Sequence, residues 1–257
     1  MTSEAEPETD LETYYAGAYW GPRKESPEEC ARRLELLLAA LPHVDLSFTN
    51  WFIQAKSLEE SLKRPLELTH AALTQWIKRG TMRSDGGKAM EDLGYSLGAW
   101  NGERNAYDAS SVLIGCGRYH ERGANRCLFH LPRRGPNAER VLTAPVLSGL
   151  VRSMALAWEP DRAVAMSHAH RDMVDKAGKT DVLLGWVTYL SRRRGTVPPL
   201  PAPVRIEPVE DKGTLIVLTS ERFTASNPEH VELARRVREL LVKAGLMQPV
   251  TRYPSAL

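Results

Sequence analysis

The stretch Leu93–Gly102, LGYSLGAWNG, is the part of the sequence from which we predict the fold. Read with the two-residue period of a β-strand, its odd-numbered positions form one apolar face, made of Leu93, Tyr95, Leu97 and Ala99. The opposite face is nearly bare until Trp100, which permits a helix or another backbone to approach closely. Asn101 and Gly102 tolerate positive φ and predict a turn. The stretch therefore predicts the central strand of a sheet.

The region before this stretch reads as one strand followed by three helices. Tyr14–Trp20 is rich in strand-forming residues. Ser26 as N-cap, Pro27 at the first helical position and Glu29 in a capping box predict the start of a helix. That helix ends at Pro42. Two further helices are predicted, at Leu58–Arg64 and Leu66–Lys78.

The region after it reads as further strands and two amphipathic helices. The predicted strands are Ser111–Cys116, Cys127–Leu131, Ala163–Ser167, Val182–Leu190, Val204–Pro208 and Thr214–Thr219. One predicted helix is Thr143–Trp158, and the other begins at Asn227-Pro228 and closes at Gly245. Pro132–Asn137 is predicted to be a loop. We therefore predict an α+β fold, with a mixed, largely antiparallel sheet flanked by amphipathic helices.

The order of elements also predicts a domain organisation. Segments 14–41 and 214–244 share a strand, a short link and a helix that starts at proline, which predicts two related halves, 14–137 and 138–257, within one domain of 14–257. Residues 1–13 hold five acidic residues and no basic one, which is typical of a disordered leader. Without that leader, 34 basic residues stand against 27 acidic ones, so the remainder is basic.

The composition predicts a cytoplasmic protein. Its apolar runs are far shorter than the roughly 20 residues of a membrane span. The N-terminus is acidic and lacks the hydrophobic stretch of a secretory signal. The three cysteines, Cys30, Cys116 and Cys127, are odd in number and unevenly spaced. This favours free thiols in a reducing compartment.

No complete catalytic constellation is present in the sequence. His168 and His170 would share a face of a strand and could bind a metal, but no third ligand follows at a suitable spacing. Cys116 and Cys127 each have a histidine nearby in sequence, yet both lie in apolar strands, where inert core thiols are the norm. We therefore predict no enzymatic activity, no metal and no cofactor.

Aromatic residues suggest a binding surface instead. Trp20, Trp51 and Trp100 differ from the other tryptophans in standing beside turn or polar residues. Aromatic and arginine side chains at such edges commonly anchor protein–protein contacts. The alternative is that they fill the edge of the core and bind nothing. We predict a partner-binding cluster consisting of Trp20, Arg23, Trp51, Trp100, Asn101 and Tyr119.

Several segments carry distinctive aromatic and glycine signatures: AYWGPR at Ala18–Arg23 with the following SPEECA, NWF at Asn50–Phe52, LGYSLGAWNG, WEPD at Trp158–Asp161, GWVTYL at Gly185–Leu190, and the closing GTLIVLTSERF and NPEHV. Together they resemble the immunity protein 52 family of bacterial polymorphic toxin systems, from about residue 14 to 247. The resemblance implies an α+β protein that binds a toxin encoded beside it. It also implies that the protein neutralises that toxin in the cytoplasm of the producing cell.

The resemblance further implies a nuclease toxin of the restriction-endonuclease type, delivered by contact-dependent or type VI secretion. Because the chain without its acidic leader is not acidic, we do not expect it to imitate nucleic acid. We expect it to block the toxin by shape, by covering the active-site cleft or by locking an inactive conformation. Two other function classes stay open from the residues alone. One is a small metal- or thiol-dependent enzyme, and the other is a nucleic-acid-binding module centred on Arg192–Arg194.

Overall fold

A computed structural model of the chain describes residues 11–121, 123–175 and 182–248. This part of the chain contains nine β-strands and seven α-helices. The strands are β1 (Tyr14–Trp20), β2 (Phe52–Ile53), β3 (Tyr95–Trp100), β4 (Ser111–Cys116), β5 (Asn125–His130), β6 (Arg162–Ser167), β7 (Val187–Ser191), β8 (Arg205–Val209) and β9 (Gly213–Val217). The helices are α1 (Pro27–Ala40), α2 (Leu58–Leu62), α3 (His70–Arg79), α4 (Pro136–Val141), α5 (Ala144–Trp158), α6 (His168–Val174) and α7 (Pro228–Lys243).

The strands form one sheet in the order β2-β3-β4-β5-β1-β6-β7-β9-β8. Every pairing between these strands is antiparallel. The predicted α+β class is confirmed. The prediction of the central strand is wrong, because β1 lies in the middle and β3 lies next to the edge strand β2. The reason is that β1 is apolar on both faces, whereas β3 leaves Ser96 exposed on one of them.

The main core lies between the sheet and α1, α3 and α5. Helix α5 contacts β1, β6 and β7, while α1 packs against α3 and α5. The even-numbered residues of β1, from Tyr14 to Trp20, point into this core. A second, smaller cluster occupies the opposite side of β1 and is formed by Tyr15, Val164, Met166 and Leu183. Strand β1 therefore contributes to both sides of the sheet.

The predicted start of α1 is confirmed in detail. The Ser26 hydroxyl accepts a hydrogen bond of 3.2 Å from the Glu29 amide, and the Glu29 carboxylate accepts one of 2.7 Å from the Ser26 amide. Pro27 occupies the first turn, where its missing N–H has no partner to lose. Helix α7 begins in a similar way, with the Asn227 side chain as its cap and Pro228 in the first turn.

Three local predictions are wrong. Helix α4 begins within the predicted loop Pro132–Asn137, because Pro136 opens a short helix rather than extending the loop. Only the end of Val182–Leu190 forms a strand, since an apolar run does not by itself distinguish a strand from another buried segment. His168–His170 lies at the start of α6, because the Ser167 hydroxyl caps that helix by accepting from the His170 amide.

The glycines of LGYSLGAWNG serve the close approach and the turn that the sequence predicts. Gly94 has φ of +62°, and a Cβ built there would lie 2.3 Å from the Cys116 carbonyl oxygen. Gly102 has φ of +84° and opens the turn after β3. The neighbour over Gly98 is the Gln54 side chain, neither a helix nor another backbone.

Residues 1–10 of the predicted leader lie outside the described residues. The last residues before β1 contact the rest of the chain: the Glu12 carboxylate accepts a hydrogen bond from the Ala225 amide at 2.8 Å. Strand β1 pairs with β5 of the first predicted half and with β6 of the second. Within the described ranges, none of the helices combines the length and the apolar character needed to cross a membrane.

Candidate functional site

The six residues of the predicted binding cluster lie in two groups. Trp20, Arg23 and Tyr119 lie near the Asn125 end of β5, because Trp20 pairs with Asn125 in register. The other three, Trp51, Trp100 and Asn101, lie toward the His130 end, which is five residues or about 17 Å away along the strand. The structure thus does not bring the six residues together in one patch.

Two of the six are core residues. Trp20 is 2% exposed and stacks on Trp158, with ring centroids 5.1 Å apart and planes at 18°. Trp51 is 4% exposed, packs against Phe48 and Phe129, and donates its indole N–H to the Phe48 carbonyl at 2.9 Å. Neither indole is available to a partner in this conformation, so the alternative of a core-edge role applies to both.

Arg23 connects the first group to the core. Its guanidinium lies over the Trp20 ring at 5.2 Å and donates to the Trp158 carbonyl at 2.9 Å. It also pairs with the buried Glu25 at 2.9 Å. Burial lowers the pKa of Arg23, although Glu25 acts in the opposite direction. These contacts fix the side chain against the helix α5 terminus rather than presenting it to solvent.

The remaining three residues are partly exposed. The ring of Tyr119 faces the Lys24 ammonium group at 5.1 Å. The Asn101 side chain holds the turn after β3, because it accepts from the Ser110 amide at 3.0 Å and donates to the Ser47 carbonyl at 3.2 Å. Trp100 packs against Phe52 with ring centroids 5.9 Å apart and keeps part of its ring accessible.

A different set of functional side chains converges on the side of the sheet opposite α1 and α5. Residues paired across antiparallel strands share a face. Tyr15 is paired with His130 of β5, and Tyr19 is paired with Arg126 of β5 and Arg162 of β6. Arg171 of α6 joins them beside a depression of about 230 Å³. We call this surface the tyrosine–arginine face and define it by Tyr15, Tyr19, Arg126, His130, Arg162 and Arg171.

Ring contacts order these side chains. The Arg162 guanidinium lies 4.6 Å from the Tyr19 ring centroid, and that of Arg171 lies 5.8 Å from the Tyr15 ring centroid. The His168 ring lies 4.9 Å from the Tyr15 ring, and its Nδ1 is 3.0 Å from the Thr13 hydroxyl. Such cation–π contacts stabilise exposed pairs by about 0.5–1 kcal/mol. They restrict the rotamers of both arginines.

The charge of the tyrosine–arginine face is positive at neutral pH. Burial raises the pKa of Tyr15 and Tyr19, so both keep their hydroxyl protons. Burial lowers the pKa of His130, with Arg133 acting in the same direction, so this imidazole is neutral at pH 7. The arginines therefore supply the charge. Asp172 offsets part of it, because its carboxylate accepts a hydrogen bond from Arg171 at 2.7 Å.

In the described part of the chain, the residues considered for metal or thiol chemistry do not form an assembled site. His168 and His170 diverge on α6, because residues two apart on a helix point in different directions. His170 instead packs against Phe223, with ring centroids 4.8 Å apart. Among the described residues, no three His, Cys, Asp or Glu side chains form a group that could hold a metal ion. Burial raises the pKa of the Cys127 thiol, which keeps it in the unreactive protonated form.

The arginines of Arg192–Arg194 are held by the protein itself. Arg192 donates to the Asp211 carbonyl at 3.2 Å, and Arg194 donates to the carbonyls of Asp161 and Leu246 at 2.9 and 3.1 Å. Arg193 pairs with the buried Asp161 at 3.4 Å. These contacts orient the side chains toward the chain, which does not favour the nucleic-acid-binding alternative.

The sequence interpretation missed the tyrosine–arginine face. Its members come from β1, β5, β6 and α6, which are more than 100 residues apart in places, and their meeting depends on the strand order. One signal was present in YYAGAYW, where Tyr15 and Tyr19 flank Gly17 on one face of a strand. Large aromatic residues on both faces of a strand indicate that the second face also contacts other residues of the chain or a partner.

The chain matches a known protein family and is similar in fold to a solved structure. The profile of the family described as Immunity protein 52 matches residues 12–250, nearly the whole chain. No curated protein gives a significant match. Among solved structures, the Pseudomonas aeruginosa T6SS protein PA0821 is similar in fold, with a TM-score of 0.58 and 14% sequence identity. The alignment covers 95% of this chain and 76% of that one.

Proposed function

The chain belongs to the immunity protein 52 family, and from this premise we propose that it binds a cognate toxin domain tightly and neutralises it in a stoichiometric complex. The observation that carries the proposal is the match of the family profile over residues 12–250. A match of this extent covers every described strand and helix. The proposed activity is therefore that of a non-catalytic inhibitor.

The residue-level observations support this proposal. Among the described residues, the histidines and cysteines that suggested chemistry are separated or buried, with no metal-binding group. The partly or fully exposed side chains on the side of the sheet opposite α1 and α5 include the rings of Tyr19 and Trp100 and the Arg126 guanidinium group. Aromatic and arginine residues are enriched at the centres of protein–protein interfaces. An inhibitor needs such a surface and no reactive group of its own.

We further propose that the toxin is a nuclease of the restriction-endonuclease type and that the protein acts in the cytoplasm of the producing cell. The family supports a toxin partner, and the structural neighbour PA0821 is a protein of a type VI secretion system. We propose that the protein inhibits the toxin by covering its active-site cleft or by holding it in an inactive conformation. A protein that imitates nucleic acid requires a strongly acidic surface, whereas this chain without its acidic leader is basic.

The proposal is tested by co-expressing the chain with the toxin domain encoded by the neighbouring gene. We expect growth to be restored and the two proteins to purify together as a 1:1 complex. The matched control is the same toxin expressed with an unrelated immunity protein. Rescue without a complex would contradict the proposal, because it would mean that the protein acts on the product or the target of the toxin.

A further inference from the structure

We propose that the tyrosine–arginine face is the surface that receives the toxin, and that it recognises an acidic, carboxylate-rich epitope on the toxin domain. This inference rests on the proposed function and adds the location of the interface and the chemistry of the partner. This surface in the middle of the sheet replaces the predicted cluster at the loop edges. Trp100 of that cluster lies on the same side of the sheet, beyond the six residues that define the face.

The surface is built on the middle strand of the sheet. Tyr15 and Tyr19 lie on β1, which has four strands on each side of it in the sheet. Tyr15 is 4% exposed, so it supports this surface from beneath and does not itself contact a partner, while the Tyr19 ring lies against Gly17, where a Cβ would come within 2.5 Å of the tyrosine oxygen. Side chains held in this way lose little conformational entropy when a partner binds.

The surface combines tyrosine and arginine side chains around a depression. Tyrosine and arginine are enriched among the residues that dominate binding energy, and they act best at a concave, well-packed centre. The depression beside Tyr15 and Tyr19 provides that shape. Its margin carries Arg162, whose guanidinium lies over the Tyr19 ring, and Arg171, which lies near the Tyr15 ring and donates two hydrogen bonds to the Asp172 carboxylate. A planar guanidinium group in a fixed position suits the bidentate recognition of a carboxylate.

The positive charge of the surface is complementary to that of an acidic partner. Arg126 is exposed, and in the described part of the chain no carboxylate forms an ion pair with it. Its partners across the sheet are Tyr19 and Gly115, neither of which is charged. Arg126 and Arg162 are the partners of Tyr19 on the two sides of β1, and Arg171 lines the same depression as Tyr19, so the three charges lie around this tyrosine. A positive surface of this kind attracts an acidic partner and repels a basic one.

The surface extends across four neighbouring strands of the sheet. The residues Trp100, Ser111, His130 and Tyr15 are paired one after another across β3, β4, β5 and β1, so they lie in one row on the same face. Three strand spacings separate the ends of that row, which corresponds to about 14 Å. The partly exposed Trp100 therefore extends the aromatic surface toward the edge of the sheet, over a width suited to a protein partner rather than a small molecule.

The experiment compares two charge-reversed proteins that carry the same change in net charge. One is Arg126→Glu with Arg171→Glu, on the tyrosine–arginine face. The control is Arg32→Glu with Arg236→Glu, at exposed positions of α1 and α7. Affinity for the toxin domain of the neighbouring gene is measured by calorimetry, and folding is checked by thermal unfolding. A single Arg126→Glu protein provides a milder change on the same face.

We expect the face variant to bind at least about 100-fold more weakly than wild type. The control variant is expected to stay within about threefold, because its changes lie away from the interface. Arg126→Glu alone is expected to weaken binding about tenfold and to reduce the salt dependence of the association rate. Equal binding by the face variant and wild type would overturn the location while leaving the proposed function intact. Failure of the wild-type protein to bind at all would overturn both.

Two further outcomes would also overturn the inference. If face and control variants were weakened equally, the effect would come from overall charge and not from this surface. If the free protein were a dimer in light scattering and the face variant a monomer, a second copy of the chain would occupy the surface instead of the toxin.

Discussion

Tyr19 and Arg162 are direct partners across β1 and β6, and the Arg162 guanidinium lies over the Tyr19 ring at 4.6 Å. The ring can lie flat along the sheet because the residue beneath it, Gly17, has no side chain. This pair joins the centre of the sheet to the surface that we propose for toxin binding. Because the Tyr19 ring rests on Gly17, a side chain at position 17 would displace the ring, so a small change in β1 tests the proposed binding surface.

Gly17→Ala should weaken toxin binding about tenfold, because the new Cβ would lie 2.5 Å from the Tyr19 oxygen and push the ring away from its position. The free energy of unfolding should change by less than about 1 kcal/mol, since the atom that must move is the end of one side chain. Calorimetric titration measures the affinity. Gly115→Ala is the control, because its Cβ would approach Arg126 no closer than 3.8 Å. Equal affinities for both variants would contradict this account.

Trp20→Ala should act on stability. Removing a buried indole that stacks on Trp158 leaves a cavity and lowers the free energy of unfolding by about 3–5 kcal/mol. Trp100→Ala should cost about 1 kcal/mol, because its ring is partly exposed, but it should weaken toxin binding. Urea unfolding of both variants separates the two roles. Normal stability of Trp20→Ala with impaired binding would return Trp20 to the interface.

Gly94→Ala should destabilise the fold by about 2–4 kcal/mol, through its positive φ and the approach of the Cys116 carbonyl oxygen. Gly86→Ala provides the comparison, because the nearest atom to its Cβ would be 3.9 Å away and its φ is not in the left-handed region. That substitution should change the free energy of unfolding by less than about 0.5 kcal/mol. Similar unfolding midpoints for the two variants would show that the turn before β3 tolerates a side chain.

His170 should make stability fall with decreasing pH. Burial lowers its pKa from 6.5 to about 4, so the unfolded chain binds the proton more readily than the folded one between these values. The free energy of unfolding should therefore decrease by about 2–3 kcal/mol from pH 7.5 to pH 4.5 through this residue. His170→Gln removes the titrating group. In urea unfolding, the free energy of unfolding of this variant should therefore fall over the same pH range by an amount that is smaller by this contribution. Parallel pH profiles of the two proteins would contradict the assignment.

Local signals in the sequence predicted local structure well. The capping box of Ser26 and Glu29, the proline at the start of α7 and the strand Tyr14–Trp20 all depend on neighbouring residues, and each is confirmed. The prediction for His168 and His170 is wrong because the Ser167 cap competed with the strand pattern and formed a helix. A short apolar or alternating stretch does not contain enough information to decide such a competition.

Long-range arrangement could not be predicted from one sequence. The place of β1 in the middle of the sheet follows from its pairing with β5 and β6, more than 100 residues later. Trp20 and Trp51 were predicted at the surface because polar or turn residues flank them, yet each packs against residues distant in sequence. The tyrosine–arginine face depends on the same distant pairing. The family resemblance was the stronger guide to function because it does not depend on strand order.

Calorimetric titration of the purified chain into the toxin domain of the neighbouring gene tests whether this protein neutralises a toxin by binding it. We expect a stoichiometry of one and a dissociation constant in the nanomolar range or below, as in other tight protein inhibitors. Absence of binding heat at several temperatures with micromolar proteins, while co-expression still protects the cells, would contradict it.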